Sequence, residues 1–325
     1  MLKQPVAHAA AGPSPPELDP LPNVEKISPR VLRVLGLNPS SYTLQGTNNY
    51  ILGTGRERII IDSGEGIAGW DTLLKEALEK EGATISHILL THFHHDHVGG
   101  VSQIKSICKN PTPVAHKKLC LSTGDTIPSP IYTDIADGQT FRVEGATVRA
   151  IATPGHCDDH VAFYLEEERA IIAGDCVLGF GTTVFQELGE YMASLRKMLW
   201  LSQDLGRVYP GHGPVIEDGK AKLEFYIKHR QDREDQIISV LQRSHTSSTP
   251  SDPPVAQGSY EAWTIKELVQ VIYAAYPPHL QLAAESSVLL HLRKLVSEEK
   301  VKVLSGDGAD KFLLLKAGDG NAAAL

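Results

Sequence analysis

No apolar run in this sequence approaches the roughly 20 residues that a membrane-spanning helix needs, so no membrane segment is expected. Cysteine is scarce: Cys108, Cys120, Cys157 and Cys176 are the only four in 325 residues, and none forms a Cys-x-x-Cys pair. A chain of this length can build its own core without disulfide staples, so reduced thiols and a cytosolic protein are the plain expectation. Positive charge is also short. Lys and Arg total 31 against 39 Asp and Glu, a formal net charge of −8, and a broad basic footprint for nucleic acid is missing. The first 22 residues are rich in Pro and Ala and contain one basic residue, Lys3, with no arginine and no apolar core. They resemble neither a secretory signal nor a mitochondrial presequence, and 1–22 reads as a disordered tail. There is no internal repeat.

The chain is rich in something else. His92, His94, His95 and His97, with Asp96, fall within six residues, after an apolar run and before Gly99-Gly100. Packing gives no reason for so many imidazoles in one place; a metal site does. On an extended strand end, residues two apart point the same way, so His92 and His94 can approach one ion. Asp96 and His97 follow where the chain turns into a helix and can face a second. Imidazole with carboxylate suits zinc with open positions left for water.

Around this stretch the patterns alternate. Strand character is expected for Val31–Leu35, Thr43–Gly53, Arg58–Asp62 and Ile85–Thr91, and helix for Trp70–Leu78 with Gly82 as its stop. A helix over Val101–Cys108 is followed by strands at Thr140–Val143, Thr147–Thr153, Val161–Leu165 and Ala170–Ala173. Next come a helix over Tyr191–Leu205, a short strand Arg207–Tyr209 and a charged helix Glu217–Arg243. Many strands with few helices indicate α/β sheets covered by helices rather than a doubly wound sheet. Three loops at strand ends offer further ligands: Thr153-Pro154-Gly155-His156, Ala173-Gly174-Asp175 and Tyr209-Pro210-Gly211-His212. Each alone is an ordinary turn. Beside the histidine cluster they complete a count for two ions: His92, His94 and His156 on one, Asp96, His97 and His212 on the other, Asp175 between them. Two zinc ions roughly 3.5–4 Å apart can share a hydroxide that attacks an electrophilic carbon or phosphorus. His95 is off the ligand spacing and expected either exposed or behind the ligands; His160 is the best candidate to support a ligand.

Ser244–Gly258 reads as a linker. The segments expected are a tail (1–22), a catalytic domain (23–218), a charged helix and linker (219–258) and a small module (259–325). In the module, Thr264 and Glu267 form a capping box. Ile265, Leu268, Val269, Ile272, Tyr273 and Tyr276 line the first helix, Pro277-Pro278 ends it, and a second helix carries Leu289, Leu292, Leu295 and Val296. A hairpin from Val301–Leu304 and Phe312–Leu315, turning near Gly308, completes a winged-helix-like pattern. The helix that would read DNA is not strongly basic, so a lid, a dimer contact or a pocket wall is the expected use.

Thr91-His92-x-His94-x-Asp96-His97 with His156, Asp175 and His212 resembles the metallo-β-lactamase superfamily over roughly residues 24–218. That implies an αβ/βα sandwich with two zinc ions at one edge. Thr43–Asn48, Val143–Thr147, Leu178-Gly179-x-Gly181-Thr182 and Tyr209–Ile216, with the C-terminal module, are similar to the β-lactamase-like protein 2 group. That group includes an animal mitochondrial endoribonuclease and fungal thioesterases that release polyketides from a carrier protein; His229–Gln236 is closer to the fungal members. The resemblance implies a proton donor and acceptor role for Asp96, which competes with ligation. Phe93, Asn49 and Cys157 depart from the group's usual residues, and Phe93 and Cys157 are expected to reshape the pocket. The leading expectation is a zinc thioesterase of secondary metabolism, whose bridging hydroxide attacks an acyl thioester on an acyl carrier protein or polyketide synthase. Lys220, Lys222, Lys228 and Arg230 are candidates for docking that carrier. The alternative is a single-strand endoribonuclease, mitochondrial in location, with RNA as partner. Oligomeric state is open.

Overall fold

The computed structural model describes residues 18–108, 114–115, 132–243, 260–275, 277, 281–305 and 309–315. The linker 244–258, Tyr276, Pro278, Gly308 and most of the N-terminal tail lie outside them. The contacts divide the chain into two compact units, one of residues up to Val184 plus Ala193–Leu223, the other of Phe185–Met192 plus Glu224 onward.

The first unit holds two sheets. One has seven strands in sequence order: β1 (Val24–Ser28), β2 (Val31–Leu35), β3 (Asn48–Leu52), β4 (Glu57–Ile61), β5 (Thr84–Leu89), β6 (Val114–Ala115) and β7 (Tyr132–Thr133). β1 to β4 pair antiparallel, and the remaining pairs are parallel. Parallel neighbours need a crossover. Helix α1 (Trp70–Glu81) supplies the one from β4 to β5, ending on Gly82 in the left-handed conformation. Helices α2 (His95–Val98) and α3 (Val101–Ile107) follow β5. The other sheet runs β12 (Val208–Pro210), β11 (Ala170–Gly174), β10 (Val161–Leu165), β9 (Ala146–Ala152), β8 (Thr140–Val143), with α4 (Leu188–Leu199) between β11 and β12.

Strand periodicity sorts the side chains between layers. Ile59 and Ile61 of β4 join Val148 and Ala150 of β9, Phe163 of β10 and Ile172 of β11 in one core. Ile60 faces the other way, into a core with Trp70, Leu74, Leu78 and Ile104 from the helices. The α/β class and the layered sheets expected from the sequence are those observed.

Two expected elements differ. The strand expected over Thr43–Gly53 is confined to β3, because Leu44 and Gly46 take positive φ (55° and 120°) and turn the preceding segment into a tight loop. The helix expected over Tyr191–Leu205 starts earlier and stops at Leu199. Glu187 caps its start by accepting from the Gly189 and Glu190 N–H groups, and Ser202 Oγ accepts the Asp204 N–H in a turn that replaces the last helical residues.

The second unit contains the end of helix α5 (Gly219–Leu241), then β13 (Trp263–Thr264), α6 (Ile265–Ile272), α7 (Gln281–Ser297), β14 (Val301–Leu304) and β15 (Lys311–Leu314). The three strands pair in the order β13-β15-β14. Leu268, Val288, Leu292, Leu295 and Phe312 form its core. The Thr264–Glu267 capping box is present on both arms, at 2.7 and 3.3 Å. Arg230, one of the cations expected to dock a carrier, is buried here with its guanidinium 4.7 Å above the Phe185 ring, so it offers no surface charge.

Candidate metal centre

The carboxyl ends of the strands deliver the site. After β5 come Thr91 to His97; after β9, His156; after β11, Asp175; after β12, His212. All seven residues singled out in the sequence converge. Ligand atoms of His92, His94, His156 and Asp175 form one group, and those of Asp96, His97 and His212 form another, with the atoms of each group within 4.8 Å of one another. His95 is exposed.

Asp175 belongs to both groups by geometry. Its Oδ1 lies 3.4 Å from His97 Nε2 and 3.3 Å from His212 Nε2, while Oδ2 lies 3.8 Å from His156 Nε2. Asp96 Oδ2 is 3.3 Å from His97 Nε2 and 3.2 Å from His212 Nε2. These separations are long for hydrogen bonds, and Asp175 Oδ1 has no well-aligned donor. The four separations among Asp96, His97, His212 and Asp175 Oδ1 match the edge of a tetrahedron around zinc, about 3.3–3.4 Å for bonds of about 2.0–2.1 Å. The residues therefore fit a metal ion.

The surrounding bonds orient three of the rings, those of His92, His97 and His156. His156 Nδ1 donates to the Val184 carbonyl at 2.8 Å, leaving Nε2 unprotonated toward the site. Asp62, which the sequence marked only as a strand end, does the same for two rings. Its Oδ2 accepts from His97 Nδ1 at 2.8 Å and from the Thr91 hydroxyl at 3.0 Å. That hydroxyl in turn accepts from His92 Nδ1 at 2.9 Å. Asp62 Oδ1 accepts the Thr91 N–H at 2.8 Å. One buried carboxylate thus anchors the Nδ1 side of a ring in each group and leaves its Nε2 facing inward, as outer partners of metal-binding histidines do. The signal for it was in the sequence: Ile-Ile-Ile-Asp62 copies the apolar-strand-then-aspartate pattern that flagged Asp175. His160 supports as expected: Nε2 accepts the Asp175 N–H at 3.2 Å, and burial holds its pKa down at about 3, so the ring stays neutral. Gly174, at φ 48°, is required here, since a Cβ would sit 2.7 Å from His160 Nε2.

The loop carrying His212 is fastened to β3. Asn48 Nδ2 donates to the Pro210 and Gly213 carbonyls at 2.9 Å each, and the Tyr50 hydroxyl donates to Pro210 at 2.9 Å.

Charge divides the two groups. Burial, then neighbouring histidines, push His92 well below the usual imidazole range and His94 to about 4. Burial would lower His97 and His212 as well, but the carboxylates override it: Asp96 and Asp175 carry His97 well above its ordinary value, and Asp175 leads in raising His212 to about 9. Burial would raise Asp96 and Asp175, yet His97 and His212 hold both well below the carboxylate range. The negative centre that gathers protons in the bare protein is what a cation neutralises, so metal binding there displaces protons.

A cavity of about 510 Å³ opens onto His94, Asp96, His156, Asp175 and His212. Its walls are Tyr42, Leu44, Leu178, Phe180 and Val184 with the hydroxyls of Ser41, Thr182 and Thr183, and no Lys or Arg is among its described lining residues. The expectation that Phe93 and Cys157 shape the pocket is not met: neither is among those residues. Phe93 packs on His94, at 4.7 Å between ring centres, and Cys157 is buried with its thiol donating to Asp159 Oδ1 at 3.0 Å.

A family model described as metallo-beta-lactamase superfamily matches residues 42–212, and one described as beta-lactamase associated winged helix domain matches 264–309. The chain belongs to the metallo-beta-lactamase superfamily, a class of metal-dependent hydrolases, and ends in that winged helix. It is 43% identical over 281 residues to lactamase-like protein adaB of Aspergillus niger, covering 86% of this chain and 84% of that one. It is 40% identical over 300 residues to atrochrysone carboxyl ACP thioesterase dmxR1 of a Cryptosporiopsis species, covering 92% and 89%. It is 39% identical over 288 residues to a beta-lactamase-like protein 2 homolog of Caenorhabditis elegans, covering 88% and 91%. Among the described residues no helix is long and apolar enough to cross a membrane.

Proposed function

We propose that this protein is a zinc-dependent thioesterase that releases an acyl chain from a carrier protein in secondary metabolism. The observation that carries this reading is the cavity: the His/Asp cluster forms the floor of a mainly apolar chamber without Lys or Arg among its described lining residues. Such a wall suits a bulky neutral acyl group and leaves a polyanionic backbone without partners. The carrier-protein thioesterase among its relatives supports the same substrate class.

His92, His94 and His156 would hold one zinc ion and Asp96, His97 and His212 the other, with Asp175 between them. When bound, zinc supplies Lewis-acid polarisation of the acyl carbonyl and a water acidic enough to ionise near neutral pH. The protein's own part is to place the groups and exclude bulk water. Asp62 and the Val184 carbonyl keep the ring nitrogens unprotonated toward the site, and His160 holds Asp175 through its backbone N–H. Asp96 is one of the five candidate ligands that line the cavity, and its carboxylate can pass the proton of the attacking water to the departing sulfur. A carbon–oxygen bond forms, the carbon–sulfur bond breaks, and the products are a carboxylic acid and the carrier thiol. The cytosol is the compartment that goes with this reading.

A single-strand endoribonuclease is the second reading. Tyr42 and Phe180, exposed by 72% and 47%, are aromatic faces on which bases could stack. The test sets the two side by side: zinc is counted in the purified protein, which is then given an acyl carrier thioester and a single-stranded RNA. Thioester hydrolysis with two zinc ions per chain is expected. RNA cleavage without thioester hydrolysis refutes the proposal.

A further inference from the structure

Two cavities meet at Asp96. Beside the apolar chamber lies a second one of about 530 Å³, lined in part by Asn38, Ser40, Thr43, Glu65 and His95. Asp96 and Tyr42 line both. Tyr42 is 72% exposed, so its ring is not part of the core.

The backbone under that ring is nevertheless held firmly. Leu37 and Leu44 bracket the loop at φ 59° and 55°, a left-handed conformation that side chains other than glycine rarely adopt. Ser40 Oγ accepts the Tyr42 N–H at 3.2 Å and the Thr43 N–H at 3.0 Å. Thr43 Oγ1 donates to the Asn38 carbonyl, and Asn38 Oδ1 accepts the Thr47 N–H at 2.9 Å. A large aromatic ring thus stands in solvent on a braced loop that borders both cavities.

We propose that Tyr42 is a partition that splits the substrate site into two arms. The apolar chamber takes the acyl group. The second cavity takes the amide-bearing chain that carries the thioester sulfur, and the scissile bond lies over Asp96. This rests on the thioesterase reading and makes Tyr42 a specificity-determining residue. The chemistry of the walls sets the direction. The first arm has the more apolar wall, with Leu44, Leu178, Phe180 and Val184 beside the hydroxyls of Ser41, Thr182 and Thr183, whereas Glu65 and His95 give the second arm groups that can pair with amide N–H and C=O. Glu65 lies in that arm, and neither lining contains a Lys or Arg among the described residues. The part that enters is therefore the neutral amide portion, not a phosphate.

The test uses the zinc-loaded full chain and two neutral probes without a thiol, N-methyl-2-naphthamide for the apolar arm and panthenol for the polar one, titrated singly and together by calorimetry. In the wild type and in Tyr42→Phe, both bind and neither weakens the other. In Tyr42→Ala, the naphthamide binds about tenfold more weakly and the probes exclude one another, because the wall between the arms is gone. The ratio of kcat/KM for naphthoyl- over acetyl-N-acetylcysteamine falls by a similar factor. Competition between the probes in the wild type, failure of either to bind, or a Tyr42→Ala protein that behaves as the wild type overturns the proposal. If neither thioester turns over while the probes occupy separate arms, the thioesterase reading falls and the partition stands. If the thioesters turn over and the probes compete, the partition alone falls. A single-stranded oligonucleotide that displaces both probes overturns the assignment of the arms to an acyl thioester.

Discussion

Asp62→Asn is the sharpest perturbation the site offers. The change is nearly isosteric, and asparagine tolerates the left-handed backbone (φ 62°) found at this position. If the new amide keeps its oxygen on the Thr91 N–H, its NH₂ points at His97 Nδ1 and at the Thr91 hydroxyl, where a carboxylate oxygen accepted at 2.8 and 3.0 Å. Two donors then face each other at His97 unless the ring moves its proton to Nε2, the nitrogen that faces Asp96, Asp175 and His212. The same reversal passes through Thr91: its hydroxyl, now accepting from the amide, turns its hydrogen toward His92 Nδ1 and drives that proton to Nε2 as well. One atom exchange thus caps a lone pair in each half of the site. Loss of a buried charge-assisted hydrogen bond costs about 1.5–3 kcal/mol, which lowers Tm by roughly 2–4 °C at this size. Zinc affinity falls about 10- to 100-fold. Scanning calorimetry of the metal-free proteins and zinc titration against a competing chelator read the two effects separately. An Asp62→Asn protein that holds zinc as tightly as the wild type refutes the tautomer argument, whatever its stability.

Two further outcomes are expected. At Gly211, a Cβ would press into Asp175 Oδ1 and lie 3.0 Å from the Gly174 carbonyl carbon, backbone that cannot yield. Gly211→Ala is expected to destabilise by about 1–3 kcal/mol and to weaken zinc binding by displacing His212, as read by melting and chelator titration. His291 in the winged-helix unit is fully buried, its Nδ1 donating to the Ser287 carbonyl at 2.9 Å. Burial first, and the Arg230 charge after it, lower its pKa to about 4 against the opposing pull of Ser287 and Glu234. The unfolded chain binds a proton near pH 6.5 that the folded one refuses until about pH 4. The stability is complete above about pH 6.5 and falls by about 2–3 kcal/mol on going to pH 4.5. Denaturant unfolding of metal-free His291→Gln should show that much less loss over the interval; an identical pH dependence would show the buried imidazole to be uninvolved.

The seven residues that converge at the candidate metal centre were legible because each announces itself locally. A strand end makes His92 and His94 neighbours by period alone, and Pro-Gly-His or Gly-Asp after an apolar run marks a loop braced by a core strand. Asp62 was passed over although its local pattern equals that of Asp175, since its role depends on which residues stand opposite in space. The helix boundaries near Tyr191 and the strand expected from Thr43 missed for a related reason. Side-chain bonds by Glu187 and Ser202, and the positive φ of Leu44, compete with periodic structure on terms that residue type alone does not show. Arg230 looked like surface charge because a helix period does not reveal which neighbours cover it.

By itself, the sequence determined the α/β class, the winged-helix ending and which seven residues are candidates for the centre, because hydrophobic period and ligand chemistry are properties of short segments. Only the tertiary structure decided the rest. It brought loops more than one hundred residues apart, at His97 and His212, to within 3.3 Å. It gave Asp175 one oxygen toward each group, put a single carboxylate behind two rings, and stood Tyr42 between two cavities. Those relations come from how two sheets pack, and long-range packing is set by the whole core rather than by any stretch of chain.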